Sequence, residues 1–149
     1  MNVGEICNRE VIVIQRDEPV VEAAKLMRQY HVGAVIVIDK PNGSAIPVGI
    51  VTDRDLVVEV LATELDEKVI TVGDIMTPEL FTVKESTATH DAIEFMRRKT
   101  IRRLPIVDDA GELVGILTLD DVLEILSEEL LDLAKLVRYE QKKETRHRP

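Results

Sequence analysis

The 149-residue sequence has no tryptophan, two phenylalanines, two tyrosines and a single cysteine. Each scarcity closes off a class of function. With so few rings on which bases could stack, the chain does not read as a single-stranded nucleic-acid binder. An excess of acid gives a formal net charge of −9, which opposes the non-specific hold on phosphate backbones that a basic surface provides. Cys7 stands alone, so no intramolecular disulfide can form, and with His31, His90 and His147 it fits no metal-ligand spacing. The N-terminus lacks the basic-then-apolar layout of a secretion signal, and no apolar run approaches the ~20 residues of a membrane span. A soluble, cytoplasmic protein is the expectation. Asn and Gln are scarce while charged residues make up 32 %, a balance that points to a thermophilic source with many surface ion pairs.

What is present is aliphatic and repeated. Gly49-Ile50-Val51-Thr52-Asp53-Arg54-Asp55 recurs as Gly115-Ile116-Leu117-Thr118-Leu119-Asp120-Asp121, and Val3-Gly4-Glu5-Ile6 recurs as Val72-Gly73-Asp74-Ile75. Ala23 and Met27 answer Ala92 and Met96, and the one change of spacing falls in the turn around Pro41-Asn42-Gly43-Ser44. In the first copy, β-branched Val11–Ile14 predicts a strand, and Asp17-Glu18-Pro19 opens a helix from Val20 to Tyr30 whose buried stripe is Ala23, Ala24, Leu26, Met27 and Tyr30. Ala34–Ile38 and Val48–Val51 predict neighbouring buried strands, and a further helix starts near Thr52 with Leu56, Val57, Val60 and Leu61 on one side. The second copy repeats this order: strand Leu80–Val83, helix Thr87–Lys99, strands Leu104–Val107 and Leu113–Leu117, and a helix from Leu119. There Leu123, Leu126, Leu130, Leu133 and Leu136 prolong the apolar stripe, which predicts burial against another subunit. Beyond Val137 the composition predicts a frayed polar tail.

The expected fold class is α+β. Two pseudo-twofold-related βαββα repeats, residues 1–68 and 69–127, would pack sheet to sheet and leave two related clefts, with a C-terminal helix extension and polar tail at 128–149.

Thr52-x-x-Asp55 and Thr118-x-x-Asp121 each place a hydroxyl and a carboxylate where a strand turns into a helix. Such a pair can form a capping box. It can equally offer a bidentate acceptor to a ribose, beside helix N–H groups that suit a phosphate. Arg102 and Arg103 can meet phosphate or pair with surface carboxylates. Arg54 adds a cation beside Asp55 where the second copy has Asp120, so the first cleft looks better suited to an anion. The acids near each helix start read as solvated residues favourable to its dipole, and no nucleophile with a base stands beside them, so no enzyme is expected.

Taken together, these motifs resemble the tandem cystathionine β-synthase (CBS) domain pair, or Bateman module, from about residue 3 to 127. The resemblance implies a regulatory module that binds an adenosine-containing ligand, AMP, ADP or ATP foremost and NAD or S-adenosylmethionine within the family's range, with no required cofactor. It implies that Asp55 and Asp121 hold ribose, that Thr52 and Thr118 contact ribose or phosphate, and that Ile50 and Ile116 flank adenine. Met76, Phe81, Ile101 and Arg102 would serve the Asp55 cleft, and Cys7, Ile12, Val32 and Gly33 the Asp121 cleft. Arg54, Arg102 and Arg103 would face phosphates. Homodimers are implied too, and with no second functional domain in the sequence, regulation would act in trans on an unknown effector. The alternative is a structural dimerisation module with empty clefts.

Overall fold

The aliphatic runs become strands and the striped segments become helices in the computed structural model, which describes residues 1–147. The chain divides into two units, Met1–Leu117 and the segment from Thr118 onward. The first repeat contributes α1 (Val3–Ile6), β1 (Val13–Gln15), α2 (Val20–Tyr30), β2 (Ala34–Asp39), β3 (Ile46–Thr52) and α3 (Asp53–Asp55). The second contributes α4 (Val72–Ile75), β4 (Val83–Lys84), α5 (Thr89–Lys99), β5 (Arg103–Val107), β6 (Leu113–Thr118) and α6 (Leu119–His147). The class is α+β, with two three-stranded sheets ordered β1-β2-β3 and β4-β5-β6.

In each sheet the first two strands are parallel, joined by a crossover helix, and β2 runs antiparallel to β3. Val35, Ile36, Val37 and Ile38 are all shut off from solvent, which explains why β2 is a continuous apolar run instead of an alternating one. Val20, Ala23 and Met27 form the buried stripe of α2, and Ala92 and Met96 that of α5; Ala24 and Tyr30, expected in the α2 stripe, are exposed, Ala24 at the edge of that arc and Tyr30 as the last residue of the helix. Both helices stop at a left-handed residue, His31 and Thr100, each with φ of 55°. After each, an N–H folds back at 3.1 Å, Val32 to the Met27 carbonyl and Ile101 to that of Met96.

The two repeats exchange their leading segments. Val3 and Gly4 donate to the carbonyls of Thr87 and Glu85, both at 2.9 Å, while Val72 and Gly73 donate to those of Glu18 and Arg16, both at 2.8 Å. Neither α2 nor α5 has a side-chain cap, so their first donors look across as well. Val20 N–H reaches the Ile70 carbonyl at 2.9 Å, and Thr89 N–H that of Met1 at 3.1 Å. The glycines make the approach possible: a Cβ on Gly4 would stand 3.0 Å from the Glu85 carbonyl oxygen, and one on Gly73 2.9 Å from that of Arg16. Farther along, Asn8 and Ile116 exchange two hydrogen bonds of 2.9 Å, and Thr77 N–H reaches the Ile50 carbonyl at 3.3 Å.

Three further expectations are corrected. The first strand of each repeat begins late, at Val13 instead of Val11, with Ile12 packed on the core, and at Val83 instead of Leu80, where Leu80 and Phe81 line a cleft. The helix after Thr52 turns π-helical over Leu56–Leu61. Its wider i→i+5 turns keep Val60 buried but swing Val57 and Leu61 out, to 54 % and 73 % exposure. Past Val137 the polar residues extend α6 to His147 instead of fraying, since Lys, Arg, Glu and Gln are good helix formers once a helix is running. Arg148 and Pro149 of the expected tail lie outside the described residues.

Candidate functional site

Where β3 of the first repeat meets the loop before β4 and the start of β5, a cleft of about 280 Å³ opens in the first unit. Its apolar walls are Ile50, Leu80, Phe81, Ile101 and Pro105. Phe81 is fixed edge-on against Phe95, ring centroids 5.9 Å apart, and the Lys99 ammonium stands 5.0 Å from the Phe81 centroid. Thr52, Thr77, Glu79 and Arg103 supply the polar groups. An apolar slot with a few convergent polar groups is the usual make-up of a small-molecule site.

Arg103 is half-buried, and its guanidinium makes no hydrogen bond or ion pair among the described residues. Glycine at position 33 makes room for it: a Cβ there would stand 3.3 Å from both Arg103 Nη2 and Asp53 Oδ2. Arg102, exposed and engaged elsewhere, does not line the cleft.

Thr52 and Asp55 close on each other. Asp55 N–H donates to Thr52 Oγ1 at 3.2 Å, and Thr52 N–H donates to Asp55 Oδ2 at 2.9 Å, a complete capping box. Thr71 and Asp74 form the same box at the start of α4, and there hydrogen bonds from the Thr71 backbone, then its side chain, hold the Asp74 carboxyl below the usual carboxylate range. At the head of α6, Asp121 N–H donates to Thr118 Oγ1 at 3.1 Å, and no hydrogen bond to the Asp121 carboxylate is present among the described residues.

Of the residues assigned to the Asp55 cleft, the structure gathers Ile50, Thr52, Phe81, Ile101 and Arg103. Asp55, Arg54, Met76 and Arg102 are not among its lining residues. Met76 packs on the core, and its sulfur would lie 2.6 Å from a Cβ on Gly49. Thr77, Glu79, Leu80 and Pro105 were not anticipated from sequence. The one available signal was the repeat itself, since Thr77 stands where the first copy has Asn8, and both cross to the other repeat's third strand. Of the residues assigned to the other cleft, Cys7, Ile12, Val32, Gly33 and Ile116 belong to the first unit, and Thr118 and Asp121 to the second. Ile12 and Val32 pack on the core, and the Cys7 sulfur would lie 2.6 Å from a Cβ on Gly115, as Met76 does over Gly49. Burial raises the Cys7 thiol pKa, keeping it protonated at neutral pH. Among the described residues, no group of three or more His, Cys, Asp or Glu could hold a metal ion.

The sequence profile of the CBS domain matches residues 3–62 and again 72–128. The chain is 38 % identical over 125 residues to an uncharacterised protein of Methanopyrus kandleri, which covers 84 % of this chain and 62 % of that protein's length. An uncharacterised protein of Methanocaldococcus jannaschii is 35 % identical over 142 residues, 92 % of this chain and 75 % of its own. Among solved structures, the CBS domain pair of protein MJ0100, in complex with 5′-methylthioadenosine and S-adenosyl-L-methionine, superposes with a TM-score of 0.74 at 26 % identity. That match covers 87 % of this chain and 98 % of the other. Duplicated motifs, two three-stranded sheets with exchanged leading segments, and a family match in each repeat place this chain in the CBS domain family, as a tandem pair.

Proposed function

We propose that this chain is a regulatory module that binds an adenosine-containing ligand, AMP, ADP or ATP first among them, in the cleft at Thr52, and passes its occupancy to an effector protein in trans. The observation that carries the reading is Arg103, a half-buried guanidinium with no partner among the described residues, beside Thr52 at the edge of an apolar slot. A guanidinium held at that edge presents several N–H donors to a ligand anion such as phosphate. Ile50, Phe81, Ile101 and Pro105 suit the faces of an adenine ring, and Asp55 would turn its second carboxylate oxygen to the ribose without releasing its capping bond. NAD and S-adenosylmethionine share the adenosine and belong in the same panel, the latter because the MJ0100 pair holds it. The reading assigns no reaction to the chain, and places it in the cytoplasm as a homodimer; no helix among the described residues is long and apolar enough to cross a membrane.

A second reading has its own support. Thr52 and Asp55 are engaged with each other, which is all that a structural module with empty clefts would require of them. Calorimetry with AMP and adenosine separates the two. Arg103→Ala is expected to weaken AMP by roughly tenfold or more, one charge-assisted contact being worth ~1.5–3 kcal/mol, while adenosine is nearly unaffected. Adding Arg102→Ala should then contribute little. Failure of wild-type protein to bind any nucleotide of the panel leaves the structural reading, and equal losses for AMP and adenosine would mean a damaged pocket.

A further inference from the structure

Helix α6 carries Leu123, Leu126, Leu130, Leu133 and Val137 at alternating spacings of three and four, the seam of a two-helix coiled coil. The seam is bare: Leu130 and Leu133 are 68 % and 60 % exposed. Charge is sorted along the same helix. Between Asp120 and Asp132 every charged residue is an acid, namely Asp120, Asp121, Glu124, Glu128, Glu129 and Asp132. From Lys135 to Arg146 the bases Lys135, Arg138, Lys142, Lys143 and Arg146 outnumber Glu140 and Glu144.

We infer that α6 is the docking surface for α6 of a second copy of this chain, laid antiparallel against it. A parallel pair would bring the acidic half against its own kind over its whole length, and the basic half likewise. Reversing one helix sets each acidic half beside the partner's basic half and opposes the two macrodipoles. The surface is therefore complementary to itself under a twofold axis, as an isologous contact requires. Leucine burial supplies affinity and the charges select orientation. An anionic membrane is a poorer occupant, because the half of the helix richest in leucine is also the half that carries only acids. This inference rests on the homodimer reading above but not on nucleotide binding, and it fixes the contact and its direction.

Sedimentation of the full chain at micromolar concentration is expected to give a dimer, and Leu130→Asp with Leu133→Asp a monomer whose first unit unfolds at an unchanged midpoint. A dimer that survives both substitutions overturns α6 as the contact while keeping the dimer. A wild-type monomer overturns both. Lys142→Glu with Lys143→Glu leaves the seam intact, so it tests the charges even should the leucine variant fail to fold. It should weaken association at low salt by roughly tenfold or more, and no change would overturn the electrostatic argument. Direction is read by spin labels on Lys143→Cys in a Cys7→Ser background. A pair crossing near Leu133, the register that sets the acids before it beside the partner's bases, holds the labels about 30 Å apart at a rise of 1.5 Å per residue. A separation of about 10–20 Å, as parallel neighbours would give, overturns the proposal.

Discussion

Asp55 and Asp74 each follow a threonine by three residues, and each turns its carboxylate back onto that threonine's N–H. At Asp74 nothing else competes for the group, so its lowered pKa belongs to the fold. A carboxyl whose pKa falls on folding stabilises above its unfolded value, and that contribution is lost as pH drops through the folded value. Asp74→Asn should therefore be destabilising near neutral pH, with the gap to wild type closing as solutions are acidified below the usual carboxylate range. Unfolding curves across pH would show this, and a gap independent of pH would refute it. At Thr52 the sequence left two meanings open because a capping box and a ribose acceptor need the same spacing. The structure makes the box explicit without removing the second use. Arg102 and Arg103 carried a different ambiguity. Nothing in the sequence tells two adjacent arginines apart; β5 begins at Arg103, and of the two only Arg103 lines the cleft.

At the scale of elements, the span of α2 was legible, since an apolar stripe, an acidic opening and a proline mark it, but its buried face was drawn too wide, Ala24 and Tyr30 being exposed. The buried strands β2, β3, β5 and β6 were legible to within a residue or two. What the sequence hid are elements held by distant partners. Helices α1 and α4 are a single turn each, too short to show a period, and their donors are met by the opposite repeat. Strand β4 pairs only at Val83 and Lys84, while Leu80 and Phe81 line the cleft. The π-helical turn shows no signature in the apolar spacing. Gly73 tests the exchanged contact directly. Its Ala variant would force a methyl to within 2.9 Å of the Arg16 carbonyl, whose residue is tied down by two hydrogen bonds from its guanidinium to Asp39. A loss of ~1–3 kcal/mol in urea unfolding is expected. A neutral result would mean that α4 can shift outward at no cost.

For the first unit as a whole, duplication and exchange belong together. Val3 finds its acceptor at Thr87 and Val72 finds its own at Glu18, so each repeat leaves its leading donors for the other to satisfy. A lone repeat is thus an unfinished object, with one set of donors offered and one set of acceptors waiting. It can be completed only by a second body carrying the same two surfaces. The peptide that joins the repeats, around exposed Glu64, then acts chiefly as a tether that raises the local concentration of one half around the other. A protease site introduced beside Glu64 and cut after folding should leave the halves eluting together, with unfolding now dependent on protein concentration; halves that separate at once would show that the exchange is too weak to hold them. In that light the polypeptide is a dimer whose two members were made permanent by a linker, and any process that splits the linker returns it to an ordinary association equilibrium.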